Sequence, residues 1–231
     1  MKTGVADIES STLPGSHGSE ESYDAKGKTN AAVAPKARKE AWVRGNPGPF
    51  GLLCFGLTTD MLMFITTSWS TGGFEPTVIA YAAFYGGLGQ LIAGVLELIK
   101  GNTFAGTAFS SYGCFWMGWF LWKLLEITHT VPSVVVAART GESLWCGLWA
   151  VLTLCFFVVT LRKNWGLMTI FSTLTITFIL LIGGNYSAAC KKAAGYVGFF
   201  CGSSAIYTAI GMLYQDELGF MLPGIAPVHY I

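Results

Sequence analysis

Apolar residues gather along the chain into six long runs separated by short polar stretches. The runs fall at about 50–69, 77–98, 103–122, 143–161, 165–183 and 193–214. Each is close to the roughly 20 apolar residues that cross about 30 Å of hydrocarbon. The runs are continuous rather than alternating, so they predict helices and not barrel strands. Trp69, Trp122, Trp145 and Trp165 stand at run ends, where an interfacial aromatic belt is expected. Just before the first run stands Asn46-Pro47-Gly48-Pro49-Phe50-Gly51. Proline disfavours the helical region for the residue before it, so this stretch predicts a helix start, with Asn46 as N-cap and Pro47 as first helical residue. The N–H groups of Gly48 and Phe50 would then face the positive end of a helix dipole, either as a plain helix start or as a weak carboxylate station that includes Asn46.

Composition divides the chain in two. Hydrophobic residues make up 52% and charged residues only 12%, against roughly 25% charged in soluble domains. Nearly half of the charged residues lie in 1–44. That segment is rich in Ser, Gly, Ala, Lys and Glu and cannot bury enough apolar surface to order itself, so a disordered tail is expected at 1–44 and a membrane domain at 45–231. It lacks the apolar core of a signal peptide. Ser10, Ser11 and Ser19 are candidate phosphorylation sites in the tail. A net charge of +1 with no basic patch argues against a nucleic-acid partner. Of the six cysteines none forms CxxC, and five lie in apolar runs, where a thiol packs as a small hydrophobe.

Charge also orients the spans. Lys36, Arg38, Lys39, Arg44, Lys100, Arg162 and Lys163 fall on one side, and Lys123, Arg139, Lys191 and Lys192 on the other. The richer side is expected in the cytoplasm, together with both termini.

Polar groups inside the runs need a reason, because at membrane depth they face a cavity or another helix. In the third run Thr103, Thr107 and Ser110 or Ser111 recur at helical spacing and form a hydroxyl stripe, with Tyr112 near mid-span. The stripe is either helix–helix glue or the wall of a pathway. Gln90 and Glu97 are seven residues apart and share a face; Glu97 either pairs with Lys100 at the interface or acts on a solute or proton. Asp60 stands about ten residues into the first run with no basic neighbour in sequence, and is a second candidate for proton handling. The small residues Gly86, Gly87, Gly89, Ala93 and Gly94, and Gly195, Gly198 and Gly202, either let helices pack closely or leave room for a solute.

No Lys or Arg falls inside any run, and HExxH, GxSxG and phosphate-loop motifs are missing. No catalytic residue, metal site or cofactor is therefore expected. Six spans with hydroxyl-bearing faces and no fixed positive charge point to a passage for a weakly bound small solute.

Longer motifs carry a resemblance. NPGPFGLLCFGLTT at 46–59, the FYGG…GNTF…SYG.FW pattern within 84–116, and AGYVGFFCGSSAIY with LPGI after it resemble the acetate uptake transporter family, whose bacterial members are called succinate–acetate permeases. Gly48 and Phe50 depart from that family's usual Ala and Leu. The resemblance covers roughly 44–231. It implies an all-α membrane protein with six transmembrane helices forming a pore within each subunit, a homo-hexamer in the lipid bilayer of the plasma membrane, and transport of acetate, other small monocarboxylates and sometimes succinate. It also implies a pore constriction of three residues. These match Phe55, Tyr112 and, in FSTLTITFILLIGGN, Leu174, with Ile176 two positions on as the rival.

Moving a carboxylate through a dry ring of such side chains is costly. The solute either crosses as the neutral acid or is escorted by hydroxyl and amide groups, for which Thr58, Thr59, Gln90, Ser110, Ser111 and Tyr112 are the candidates. Two rival readings remain at this level: a membrane sensor or organising protein that signals acetate or ammonium status without flux, and a water, ammonium or ion channel on the same scaffold.

Overall fold

A chain in lipid must satisfy its backbone hydrogen bonds within each spanning segment, and long helices do so. The computed structural model describes residues 45–128 and 139–230. The expected tail at 1–44, with its candidate phosphorylation sites and four of the basic residues used for orientation, lies outside the described residues. Within them the regular elements are helices, with no strand: α1 (Gly48–Thr66), α2 (Gly72–Lys100), α3 (Thr103–Ile127), α4 (Arg139–Thr160), α5 (Trp165–Gly184) and α6 (Ala188–Leu218). Five are long and apolar enough to cross a membrane. The remaining one, α3, is 25 residues long and carries the Thr, Ser and Tyr side chains that lower its hydropathy.

The helix ends arise from local chemistry. Pro47 caps α1 and Gly48 opens it, one place later than expected. Asn46 acts a step upstream, its Oδ1 accepting the Gly48 N–H at 3.1 Å. That donor is therefore taken, which removes it from the expected carboxylate station. At the other end of α2, Gly101 turns into the left-handed region at φ 89°. Gly101 N–H bonds the Leu98 carbonyl and Asn102 N–H the Glu97 carbonyl, which closes a Schellman motif. Asn102 then caps α3 through its side chain. Asn164 and Ser187 cap α5 and α6 in the same way.

Midway along α2, residues Ala82–Gly89 widen into a π-helical segment. Such a bulge shifts the angular register of the later turns of its helix and is frequent at functional sites. Beyond it, Gln90 and Glu97 turn toward the interior, 1% exposed each.

Packing runs α1 on α6, α6 on α5, α5 on α4, and α2 on α3, with α2 closing against α1. The core is a continuous cluster that includes Leu52, Phe55, Phe109, Tyr112, Ile170, Phe171, Leu174 and Phe178. Trp69 and Trp165 are exposed, as expected of a belt. Trp145 is not part of it: its ring stacks on Phe115 at 4.7 Å, within the bundle.

After Gly219 the chain folds back on the α4–α5 connection. Val228 N–H donates to the Lys163 carbonyl at 2.7 Å, Tyr230 N–H to the Leu161 carbonyl at 3.1 Å, and Gly166 N–H to the Gly224 carbonyl at 3.1 Å. The Tyr230 ring meets Trp165 edge-on, and Ile225 is buried.

Candidate functional site

Three helices bring rows of residues to one side of a shared space, and the rows on α1 and α3 run from small or aliphatic residues to an aromatic one. On α1 the row is Gly48, Leu52 and Phe55; on α3, Ala105, Ala108 and Tyr112; on α5, Leu167, Ile170 and Leu174. First and last members are seven residues apart in every row, two helical turns or about 10 Å of depth. The rows enclose a cavity of about 110 Å³. Phe55 and Tyr112 meet at its end with ring centroids 5.8 Å apart. Leu174 is 5% exposed and lines the cavity, whereas Ile176 is 48% exposed and points outward. Phe55, Tyr112 and Leu174 therefore all line this one cavity.

Beyond these residues the helices fill the space with aromatic rings. Phe115 packs on Trp149 at 4.8 Å and on Phe178 at 5.7 Å. At the end of the bundle where α1, α3 and α5 begin, by contrast, the lining extends to Asn46, Asn102 and Lys163.

The Tyr112 hydroxyl is held by a neighbour. It lies 2.8 Å from Thr153 Oγ1 on α4. Besides Phe55, three rings surround that of Tyr112: Trp149 at 5.6 Å, and Phe156 and Phe171 at 6.2 Å each.

Toward the mouth the lining turns polar: Gln90, Glu97, Asn102, Asn46 and Lys163. Gln90 Oε1 is buried without a hydrogen-bond partner, an acceptor in a site where most buried polar atoms find one. Glu97 Oε2 accepts from Asn102 Nδ2 at 2.7 Å. The expected Glu97–Lys100 pair does not form; Lys100 Nζ instead donates to Asn46 Oδ1 at 3.2 Å. Asn46 Nδ2 donates to Asp216 Oδ2 at 2.7 Å. Asn46, Gln90 and Glu97 thus reach the cavity as candidates, joined by Asn102 and Lys163, which sequence reasoning did not place in the site. The Gly-Asn pair after Lys100 signals the turn that brings Asn102 back over the Glu97 carboxylate. Lys163 carries no such signal.

Other candidates face helix contacts instead. Thr58 is fully buried and abuts Gly86 in the π segment. Thr59 is 3% exposed and, like Thr58, stands outside the cavity lining. Ser110 presses on Gly94 of α2, so closely that any side chain on Gly94 would overlap it. Ser111 is half-buried and also outside the lining, while Thr103 and Thr107 are exposed. The hydroxyl stripe of α3 and its cavity wall are therefore different faces, with Ser110 packed on α2 and Thr103 and Thr107 exposed. Asp60 too lies away from the cavity: one oxygen accepts from Ser203 Oγ at 3.0 Å and the other abuts Gly202, both on α6.

A bundle of apolar helices around a closed-ended cavity, narrowing to aromatic and aliphatic side chains, defines an integral membrane protein of the transporter or channel class. The sequence profile of the GPR1/FUN34/yaaH family matches residues 26–228, and the chain belongs to that family. The match begins at 26, earlier than the start near 44 expected from the motifs. The chain is 38% identical over 188 residues to the succinate-acetate/proton symporter SatP of Escherichia coli (strain K12), covering 80% of this chain and 96% of that protein. It is 32% identical over 206 residues to acetate permease A of Emericella nidulans, covering 83% of this chain and 67% of that one. The solved structure of the bacterial acetate channel SatP superposes with a TM-score of 0.74 at 36% identity, covering 79% of this chain and 99% of that structure's.

Proposed function

We propose that this chain transports acetate and related small monocarboxylates across a membrane, with Phe55, Tyr112 and Leu174 as the pore constriction. One observation carries the reading: the lining rows of α1, α3 and α5 all end at these three residues, at the blind end of a solute-sized cavity. The names of the SatP relative and of acetate permease A support the solute class.

The physics of the ring sets the mechanism. An ionised carboxylate stripped of water among Phe, Tyr and Leu side chains loses several kcal/mol of hydration. Gln90 Nε2 and the Asn102 amide stand ahead of the ring as neutral partners, and Glu97 stands beside them as the cavity's one carboxyl group. In this reading Glu97 exchanges a proton with the solute before the ring, so that acetic acid rather than acetate passes it. Asp60, bonded to Ser203 in the α1–α6 contact, takes no part. In this reading the cavity mouth faces the cytoplasm, the side on which the positive-inside rule expects the richer set of basic residues and both termini. The subunits assemble as a homo-hexamer in the plasma membrane.

Uptake of labelled acetate into proteoliposomes tests this. Uptake above empty vesicles, stimulated by an inward proton gradient and reduced by uncoupler, is the expected result. Absence of uptake at both pH 5 and pH 7 would sink the proposal in favour of a role in signalling alone.

A further inference from the structure

We infer that Lys163, held in place by the carboxy-terminal segment, forms a recruiting site for small carboxylate anions at the mouth of the cavity. The inference rests on the transport reading for its purpose, but the site stands on its own geometry.

Among the described residues, Lys163 is the one basic side chain that lines the cavity. It follows the end of α4 and precedes the Asn164 cap of α5, outside the apolar spans. Its ammonium lies 5.7 Å from the centre of the Phe104 ring on α3, a cation–π contact that aims it across the entrance. No carboxylate pairs with it directly: the single ion pair among the described residues joins Lys123 to Glu126 on α3. Glu97, the acid of the same cavity, is engaged by Asn102 instead. The mouth therefore presents a cation with no direct ion-pair partner, and Gln90 deeper in presents a buried acceptor, Oε1, that no donor meets. A charge at a constricted opening in low-dielectric walls raises the local concentration of the opposite ion. The ligand class that fits both features is a small carboxylic acid: its anion meets the Lys163 ammonium, and its protonated form can donate an O–H to Gln90 Oε1.

The position of Lys163 is not left to its connecting loop. The Val228 N–H donates to the Lys163 carbonyl at 2.7 Å, and the Tyr230 N–H to that of Leu161 at 3.1 Å. The pairing is an antiparallel bridge between Asn164 and Pro227. These backbone bonds restrict the main chain at and beside Lys163, and hence the origin of its long side chain. Val228 is thus a positioning residue, acting through the backbone of Lys163.

Full-length protein in oriented vesicles gives the test, with acetate flux measured separately from each face. K163Q is expected to raise the acetate KM from the Asn46 face by roughly three- to tenfold, with the maximal rate little changed. K163R should restore it, and raising the salt should weaken the wild type toward K163Q. V228P, which deletes the bridging N–H, should raise the same KM by a smaller factor. Saturation-transfer NMR on the acetate methyl group, with detergent-solubilised protein, reads binding without flux and should weaken in K163Q. If wild type binds acetate in a Lys163-dependent way but moves none, the recruiting site stands and the transport reading falls. If flux is present and K163Q changes neither KM nor binding, the recruiting site falls and the transport reading stands. An unchanged KM in V228P beside a raised one in K163Q would overturn the positioning role of the carboxy-terminal segment.

Discussion

The Tyr112 hydroxyl donates its proton to Thr153. The two oxygens are 2.8 Å apart, and Thr153 spends its own proton on the Trp149 carbonyl at 2.6 Å, so the tyrosine must be the donor. The phenol therefore ties α3 to α4 and leaves the ring, not the hydroxyl proton, for the solute.

Tyr112→Phe tests that bond. It keeps the ring, and Thr153 keeps its bond to Trp149. Stability should fall by about 1 kcal/mol, read as a lower thermal midpoint, while acetate uptake stays within about threefold of wild type. A loss of uptake beyond tenfold would mean that the hydroxyl serves the solute directly.

Leu174→Ala removes the aliphatic part of the constriction. The expected outcome is faster uptake of longer monocarboxylates relative to acetate, measured by competition. Truncating a leucine buried to this degree costs about 2–5 kcal/mol, so Leu174→Val serves as the milder variant with the same direction. Unchanged preference in both would take Leu174 out of the constriction.

Glu97 and Asp60 separate by position. Glu97→Gln keeps an oxygen for the Asn102 amide but removes the titratable group from the cavity. Stimulation of uptake by an inward proton gradient should drop severalfold. Asp60→Asn keeps an acceptor for Ser203 in the α1–α6 contact and should leave that stimulation intact. The reverse pattern would move proton handling to α1.

Gly94→Ala tests the packing. The new methyl would overlap Ser110, whose backbone nitrogen as well as its hydroxyl closes on that position. Overpacking of this kind costs about 1–3 kcal/mol. Thermal stability should fall, and adding Ser110→Gly should recover only part of it, because the α3 backbone remains in the way.

The spans were largely legible in the sequence, since each of the six observed helices starts or ends within about four residues of an apolar run. The Gln90–Glu97 face was also legible, because both residues lie on one helix and seven residues make nearly two turns. The roles of Thr58, Thr59, Ser110 and Ser111 were not. A hydroxyl that packs on a neighbouring glycine and one that lines a pathway have the same periodicity. Lys163 was read only as a charge for orientation, because its place at the mouth depends on a strand-like contact with residues more than sixty positions away.

By itself the sequence determined that this is a six-helix membrane protein with a polar face on its second helix. Apolar length and helical period are local properties, and lipid leaves the backbone no other way to satisfy its hydrogen bonds. Only the tertiary structure decided which faces enclose the cavity. The rotation of each helix is set by where small residues let its neighbours approach. Gly94 turned Ser110 into a packing contact, Gly202 drew Asp60 toward α6, and the rows ending at Phe55, Tyr112 and Leu174 were left to meet around the space.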